Sequence, residues 1–428
     1  MTTRRKALQF LGGAASLLAT PFVSRASAAN AGKARVVVVG GGFGGATTAR
    51  YLKRHNPEMA VTLIEPDRRF YTCPFSNLVL GGLRDFESIG HGFDDLRRCG
   101  VTIVHSRANA VDNVVRKVTL ADGVTLDYDR LVLSPGVDMR WDALEGYDEA
   151  ASLKAPHAWK AGEQTLLLKR QLDAMDDGEV FILVAPDDPF RCPPGPYERV
   201  GLIAHYFQSK KPKSKILILD AKDSFSKKAL FLEGWKALNG DMIEWVGRSD
   251  DGEVIAIDAE RREAITEFGT VHKAGVLNVV PPQKAGAIAA AAGVTDNSGW
   301  VPVNPVTFES RNLKGIYVVG DATNAAPMPK SGFCANAQGK VVAAAISAEL
   351  AGREPSQPSW INTCYSVLGP EYGISVADVY RVSDGKITAV PDSGGVSPLK
   401  ANQTFRAAEA HYARGWYESI TRDIWGGP

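Results

Sequence analysis

The chain has 428 residues, of which 45% are hydrophobic and 23% are charged. This is an ordinary globular composition, long enough for two or three domains. The formal net charge of +1 gives no basic excess that would indicate a nucleic-acid partner. Beyond the N-terminal segment, no stretch approaches the length of a membrane span. Composition and charge therefore argue against both a nucleic-acid-binding protein and a membrane-spanning one.

The first 28 residues have the pattern of an export signal. A charged region containing Arg4 and Arg5 precedes an apolar stretch from Leu8 to Val23, and an Ala-Ser-Ala sequence ends at Ala28. The paired arginines indicate the twin-arginine route, which usually exports folded proteins with their cofactor bound. An anchor helix is the alternative, but this stretch is short and is interrupted by glycine and proline. We predict a periplasmic protein whose charge falls from +1 to −3 when the four basic residues of the signal are removed.

The first motif after the signal is a glycine-rich loop between a strand and a helix. A β-branched run over residues 35–39 predicts a buried parallel strand, and residues 46–54 predict the helix. A second strand over residues 61–65 ends in Glu65, which is placed to accept hydrogen bonds from ribose hydroxyls. The loop has the GxGxxG pattern, formed by Gly40, Gly42 and Gly45. In this order the features predict a dinucleotide site.

Two later segments indicate which dinucleotide is bound. A predicted strand ends in Gly320 and Asp321 and is followed by a helix from about Ala335 to Leu350. This resembles the second signature of the glutathione reductase-like flavoproteins, in which the aspartate binds the ribityl chain of FAD. Residues 131–136 resemble the connecting motif of the same group. Asp321 alone could be an ordinary turn residue, but the three motifs in family order imply FAD.

The motif order also predicts the domain organisation of an α/β protein with two Rossmann-like dinucleotide-binding domains. Residues 31–142 and 286–355 would form an FAD domain that is split by an insertion. Residues 143–285 would be a degenerate NAD-type domain, and residues 356–428 a C-terminal α+β interface domain.

The insertion contains a dinucleotide-like unit that lacks a phosphate loop. Its first strand, over residues 180–184, is followed by the turn Ala185–Pro196 and by a helix that opens at Tyr197. Five prolines in the turn remove amide donors, and Asp187 and Asp188 would repel a phosphate. We therefore expect no NAD(P)H here, which disfavours a type II NADH dehydrogenase.

Five cysteines in an exported protein permit disulfides, and the odd count leaves at least one thiol unpaired or otherwise committed. No CxxCH motif is present, so any haem must lie on another polypeptide. Cys73 follows Glu65 in a segment that runs past the flavin in this fold, Cys192 lies in the insertion turn, and Cys364 begins the C-terminal domain. Each cysteine alone would more often be a buried structural residue.

Five longer segments resemble one family, the flavoprotein subunit of flavocytochrome c sulfide dehydrogenase, and the resemblance covers nearly the whole mature chain. These segments are residues 71–73, 156–164, 189–199, 327–332 and 362–365. The resemblance implies that Cys73 carries FAD through a thioether to the 8α-methyl group. It also implies a redox-active disulfide between Cys192 and Cys364. Cys99 and Cys334 fall outside the family pattern. We interpret Cys99 as a structural thiol and Cys334 as an accidental or accessory thiol near the flavin.

The resemblance further implies the reaction. Hydrosulfide would attack one sulfur of the disulfide, giving a persulfide and a thiolate, and two electrons would pass to FAD. The electrons would then pass one at a time to haem on a c-type cytochrome subunit, and the product would be elemental sulfur or polysulfide. Glu198 could be a general base or simply an acid in the first turn of a helix. Lys330 could stabilise the reduced ring or lie in a solvated loop.

Two other functions remain open at this point. The first is a sulfide:quinone oxidoreductase, which would need a surface that docks on a membrane. Apolar residues recur at helical spacing over residues 404–425, but the opposite face has no basic excess, which favours packing against the protein or a partner subunit. The second is a non-catalytic flavin-binding module.

Overall fold

The computed structural model describes residues 34–427. The predicted signal peptide, residues 1–28, lies outside the described residues. The strands in chain order are β1 (Arg35–Val39), β2 (Ala60–Ile64), β3 (Phe70–Tyr71), β4 (Gly90–His91), β5 (Thr102–Val104), β6 (Ala108–Asp112), β7 (Lys117–Leu120), β8 (Thr125–Asp127), β9 (Arg130–Leu133), β10 (Val137–Met139), β11 (Val180–Ala185), β12 (Lys215–Asp220), β13 (Ile243–Val246), β14 (Val254–Asp258), β15 (Glu263–Thr266), β16 (Val271–Lys273), β17 (Val276–Val279), β18 (Gln283–Ala285), β19 (Val301–Pro302), β20 (Ile316–Val318), β21 (Thr323–Asn324), β22 (Ser359–Gly369), β23 (Tyr372–Ser383), β24 (Lys386–Ala389) and β25 (Gly395–Val396). The α-helices are α1 (Phe43–His55), α2 (Ser76–Leu80), α3 (Asp94–Arg98), α4 (Glu163–Ala174), α5 (Gly195–Lys210), α6 (Lys228–Asn239), α7 (Ala287–Ala291), α8 (Gly332–Leu350) and α9 (Gln403–Trp425).

A five-stranded parallel sheet with the order β20–β9–β1–β2–β5 forms the first dinucleotide-binding unit. Its central strand, β1, is a run of valines that is buried from Val36 to Val39, as expected for a parallel sheet covered on both faces. Helices α1 and α8 pack closely where Gly44 meets Gly339, because a side chain at Gly339 would lie 2.6 Å from the Gly44 carbonyl oxygen. Strand β20, which follows the second sheet in the sequence, returns to this first sheet and pairs with β9.

A second parallel sheet, with the order β13–β12–β11–β17, lies within the insertion. The predicted α/β fold with two Rossmann-like units is therefore confirmed. The short antiparallel sheet β14–β15–β16 lies in the chain between β13 and β17 of the second sheet. Strand β10, before the second sheet, and β18, after it, form an antiparallel pair.

The C-terminal part combines an antiparallel sheet with one long helix. Strands β22 and β23 pair along nearly their whole length, and Cys364 lies opposite Val376. Helix α9 buries Ile420 and Ile424 of its predicted apolar face, together with Tyr417 and Trp425, against the rest of the chain. Phe405 and Tyr412, which also belong to the predicted face, are exposed. Within residues 34–427, none of the helices combines the length and the apolar character that a bilayer crossing needs.

Three helices begin earlier than the sequence analysis predicts. Helix α1 begins at Phe43 rather than at Ala46, and α8 begins at Gly332 rather than at about Ala335. Helix α5 begins at Gly195 rather than at Tyr197. Glycine and proline, which normally signal a break, are tolerated in a first turn because the amides there have no partner within the helix.

Candidate active site

A cavity of about 990 Å³ opens where the strands of the first sheet end. This edge is the usual ligand position in a doubly wound sheet. Most of the predicted cofactor-binding residues line the cavity: Gly40, Gly42, Glu65, Cys73, Gly320 and Asp321. The two others do not line it. Gly45 packs against the carbonyl of Gly40 in the first turn of α1, and Lys330 is turned towards backbone.

The glycine loop leaves helix α1 with an open N-terminus at the cavity. Gly40 has a φ of +99°, a conformation that suits glycine, and its neighbour Ser134 leaves no room for a Cβ atom. Gly42 precedes the helix and gives it no side-chain cap. The first amides of α1 are therefore available to a pyrophosphate, which helix N-termini bind through their N–H groups.

Two acidic side chains mark where the sugar parts of a dinucleotide fit. The Glu65 carboxylate accepts hydrogen bonds from the backbone N–H groups of Gly41 (2.7 Å) and Asp67 (3.1 Å), and burial raises its pKa. Asp321 is buried, which raises its pKa, and its Oδ1 atom has no hydrogen-bond partner among the described residues. A buried carboxylate oxygen without a donor fits a ligand hydroxyl. The residues present therefore fit FAD.

Lys330 supports the turn that carries Asp321. Its Nζ atom donates to the carbonyls of Asp321 (2.8 Å) and Thr323 (2.7 Å) and lies 3.6 Å from the ring centre of Trp300. Burial lowers the pKa of Lys330 to about 8. The lysine is not in a solvated loop, and its amino group is engaged by backbone.

Cys73, Cys192 and Cys364 are free thiols in the structure, and Cys192 is close enough to the other two for its charge to be coupled to theirs. The Cys73 thiol donates to the carbonyl of Trp159 (3.3 Å), at the cavity wall. Cys192 has a φ of +57°, and its N–H donates to the carbonyl of Lys330 (2.9 Å). Burial raises the pKa of the Cys192 thiol, and negative charge on Cys364 or Cys73 raises it further. The thiol of Cys192 is therefore the one whose charge is coupled to both of the others.

Glu198 joins the three chain segments that carry these cysteines. It lies in the first turn of α5, six residues after Cys192. Its carboxylate accepts hydrogen bonds from the side-chain amide of Asn77 (2.9 Å) and the N–H of Val367 (2.8 Å). Asn77 follows Cys73 by four residues, and Val367 follows Cys364 by three. Burial raises the pKa of Glu198, so its carboxylate binds a proton more readily than that of an exposed glutamate.

Arg199 is a buried cation that the sequence analysis did not identify. Its guanidinium donates to Asn77 Oδ1 (3.0 Å), Asn278 Oδ1 (2.8 Å) and two backbone carbonyls, and it lies 4.8 Å from the Trp159 ring centre. It makes no ion pair with any carboxylate in residues 34–427. Burial lowers its pKa to about 10, and negative charge on Cys73 and Cys192 opposes that decrease. Arg199 thus places positive charge beside two of the thiols.

The two remaining cysteines lie in different environments. Cys99 is exposed and accepts a hydrogen bond from Arg50 (3.4 Å). Cys334 is buried in the first turn of α8, where its thiol donates to Asn362 Oδ1 (3.4 Å). Burial raises the pKa of Cys334 to about 12, which makes it a poor nucleophile.

In the second dinucleotide-like unit, protein side chains surround the acid at the position where a ribose would bind. Asp220 ends β12, where an acid would bind ribose, and it is fully buried. It accepts hydrogen bonds from Tyr197 (2.6 Å), Trp245 (2.9 Å) and Lys222 (2.7 Å). Tyr197 also stacks on Phe225 with ring centres 3.5 Å apart. Protein side chains therefore occupy the hydrogen-bonding capacity that a nicotinamide dinucleotide would use.

Three family models match the chain. The model described as the central part of the sulfide dehydrogenase [flavocytochrome c] flavoprotein chain matches residues 165–281. The model described as the flavin-binding part of flavocytochrome c sulphide dehydrogenase matches residues 356–425. A model of pyridine nucleotide-disulphide oxidoreductases matches residues 34–170.

The chain is also similar to individual proteins of these groups. The flavoprotein chain of sulfide dehydrogenase [flavocytochrome c] from Chlorobaculum thiosulfatiphilum is 65% identical over 48 residues, which are 11% of this chain and 100% of that sequence. The mitochondrial sulfide:quinone oxidoreductase of Mus musculus is 24% identical over 324 residues, 72% of this chain and 69% of that protein. The solved sulfide:quinone oxidoreductase of Aquifex aeolicus has a TM-score of 0.73 at 18% identity, covering 92% of this chain and 93% of that one, and so shares the fold.

Proposed function

The chain belongs to the family of sulfide dehydrogenase flavoproteins and related sulfide:quinone oxidoreductases, and from that membership we propose that it is an FAD-dependent sulfide dehydrogenase. It would oxidise sulfide through Cys192 and Cys364 and deliver the electrons one at a time to a c-type cytochrome subunit. The observation that carries the proposal is the hydrogen-bond network of Glu198, which holds the three cysteine-bearing segments together beside the cofactor cavity.

The cofactor would be held by the residues that line this cavity. The open N-terminus of α1 would bind the pyrophosphate, Glu65 a ribose, and the unpaired Asp321 oxygen the ribityl chain. Cys73 lies in the cavity wall, and we propose that its sulfur forms the covalent link to the flavin. Bound FAD supplies a two-electron acceptor that can release electrons singly.

The sulfide step would take place at a disulfide formed by Cys192 and Cys364 in the oxidised protein. Hydrosulfide attacks one sulfur, the S–S bond breaks, and the other sulfur leaves as a thiolate. Glu198 lies near both sulfurs and has a raised pKa, so it can accept the proton from the entering sulfur. The product would be elemental sulfur or polysulfide.

The choice of a cytochrome over a quinone rests on helix α9 and on the two sulfide dehydrogenase family matches. Most large apolar side chains near the C-terminal end of α9 are buried against the chain, whereas Phe405 and Tyr412 are 41% and 59% exposed. We propose export to the periplasm by the twin-arginine route, where a soluble cytochrome subunit would meet the flavoprotein.

Anaerobic addition of sulfide to the purified protein tests the reaction. We expect the flavin absorbance to bleach in the wild type, and Cys364→Ser to abolish bleaching because no disulfide can form. Cys99→Ser, which changes an exposed thiol outside the site, should behave as the wild type. No bleaching of the wild type would contradict sulfide oxidation and favour a non-catalytic flavin-binding module.

The acceptor is tested separately with the reduced protein. A c-type cytochrome should reoxidise the flavin faster than a soluble quinone analogue does. The opposite order of rates would favour the quinone-reducing alternative within the same family.

Acid precipitation tests the covalent link at Cys73. In the wild type the yellow colour should stay with the protein pellet, whereas in Cys73→Ser it should pass into the supernatant. Colour in the wild-type supernatant would contradict a covalent flavin.

A further inference from the structure

A buried lysine, Lys227, contacts the backbone of Cys364. Lys227 immediately precedes helix α6, has a φ of +63°, and is only 9% exposed. Its Nζ atom donates to the carbonyl of Cys364 (3.0 Å) and to the hydroxyl of Ser366 (2.9 Å). The amino group is thus fixed on strand β22 between two polar atoms of the segment that carries Cys364.

Lys227 makes no ion pair with a carboxylate within residues 34–427, although a buried cation is costly without a counter-charge. The titratable groups whose charges couple to Cys364 are Lys227 before α6, Glu198 on α5, Cys192 before α5 and Cys334 on α8. Burial raises the pKa of Cys364, Glu198 raises it further, and Lys227 opposes both effects. Among these four described groups, Lys227 is the one that carries positive charge.

We propose that Lys227 is the positioning residue that supplies the counter-charge for anionic sulfur at Cys364, either the thiolate or the persulfide anion. This inference rests on the proposed function, because opening of the disulfide is what creates that anion. When the bridge opens, the S–S bond electrons stay on the leaving sulfur, and the negative charge there is compensated by the ammonium group already held at β22. No proton has to be transferred from Lys227.

The pH profile of Cys364 alkylation tests the proposal without requiring turnover. The flavin-containing protein is reduced with a phosphine, treated with iodoacetamide from pH 6 to 10, and alkylation at Cys364 is followed by peptide mass spectrometry. We expect Lys227→Gln to raise the apparent pKa of Cys364 by about one pH unit, which lowers the rate of alkylation at pH 7 about tenfold. Lys227→Arg should restore most of the rate, because it restores the charge.

The matched control is Lys236→Gln, a lysine on α6 that is exposed and paired with Asp241. Its alkylation profile should equal that of the wild type. If Lys227→Gln does not fold, Ser366→Ala carries the test, since loss of the hydroxyl that holds Nζ should slow alkylation in the same direction by a smaller factor.

An unchanged profile in Lys227→Gln, or no rescue by Lys227→Arg, would overturn the proposal. Sulfide bleaching of the same wild-type preparation is measured in parallel. Absence of bleaching together with a shifted profile would refute the proposed function but leave the role of Lys227 in place, and bleaching with an unchanged profile would do the reverse.

Discussion

Glu198 could be a general base or only an acid that stabilises the start of helix α5, and its contacts distinguish the two roles. An acid in the first turn of a helix is stabilising wherever the helix lies, typically by about 0.3–1 kcal/mol. Glu198 differs from such an acid because it is buried and accepts hydrogen bonds from Asn77 and Val367. Those contacts hold its carboxylate where its charge affects both Cys192 and Cys364, the position that the proposed sulfide step requires of a base.

We expect Glu198→Gln to lower the rate of flavin reduction by sulfide by about 100-fold while the flavin content stays the same, since a positioned general base typically contributes at least that factor. Stopped-flow absorbance measures this rate. Asp94→Asn, which changes an exposed acid in the first turn of α3, is the control. A normal rate in Glu198→Gln would leave only the helix-dipole role.

At the scale of elements, helix α9 closes the cofactor end of the first sheet. Trp425, at the end of α9, stacks on Phe70 (5.3 Å between ring centres) and on His91 (4.9 Å). Its indole N–H donates to the carbonyl of Gly41 in the glycine loop (3.1 Å). The last turn of the helix therefore fixes the loop that is expected to bind the pyrophosphate.

Trp425→Ala should lower the free energy of unfolding by about 3–5 kcal/mol, as is typical when a buried aromatic side chain is removed. Urea denaturation followed by circular dichroism measures the loss. Tyr412→Ala, on an exposed position of the same helix, should cost far less. Similar losses for the two variants would contradict the closing role of the last turn.

His91 makes the same region sensitive to acid. Burial lowers the pKa of His91 from 6.5 to about 4, and its ring lies 3.1 Å from the hydroxyl of Tyr417 on α9. Because the unfolded chain binds the proton first, stability should fall as the pH decreases from about 6.5 to about 4. His91→Gln should flatten this part of the stability profile, measured by denaturation at each pH, whereas a change at the exposed His55 should not.

At the scale of the whole molecule, the two Rossmann-like units differ in whether the position of a dinucleotide is open. The first keeps an open glycine loop, whereas the second has buried Asp220 under Tyr197, Trp245 and Lys222. We expect NADH to leave the flavin oxidised under conditions in which sulfide bleaches it completely. Rapid reduction by NADH in an anaerobic cuvette would contradict this reading of the second unit.

Local patterns were sufficient for the first dinucleotide unit, because the glycine loop, the valine strand and Glu65 are adjacent in the chain. They were not sufficient for Arg199 and Lys227, whose partners lie on other segments and leave no periodic signal. The exposure of Cys99 also depends on tertiary packing. The family resemblance pointed to Cys73, Cys192 and Cys364, but it gave no signal for the side chains of Asn77 and Arg199 that lie between their segments.

The network around Glu198 has a consequence for how the protein matures. Its members come from the early, middle and late parts of the chain, with 290 positions between Asn77 and Val367. A nascent polypeptide still missing β22 would have no partner for one carboxylate oxygen and no Cys364 to oppose Cys192. The hydrogen-bond network of Glu198 can therefore be complete only after β22 has been synthesised and has folded against α5.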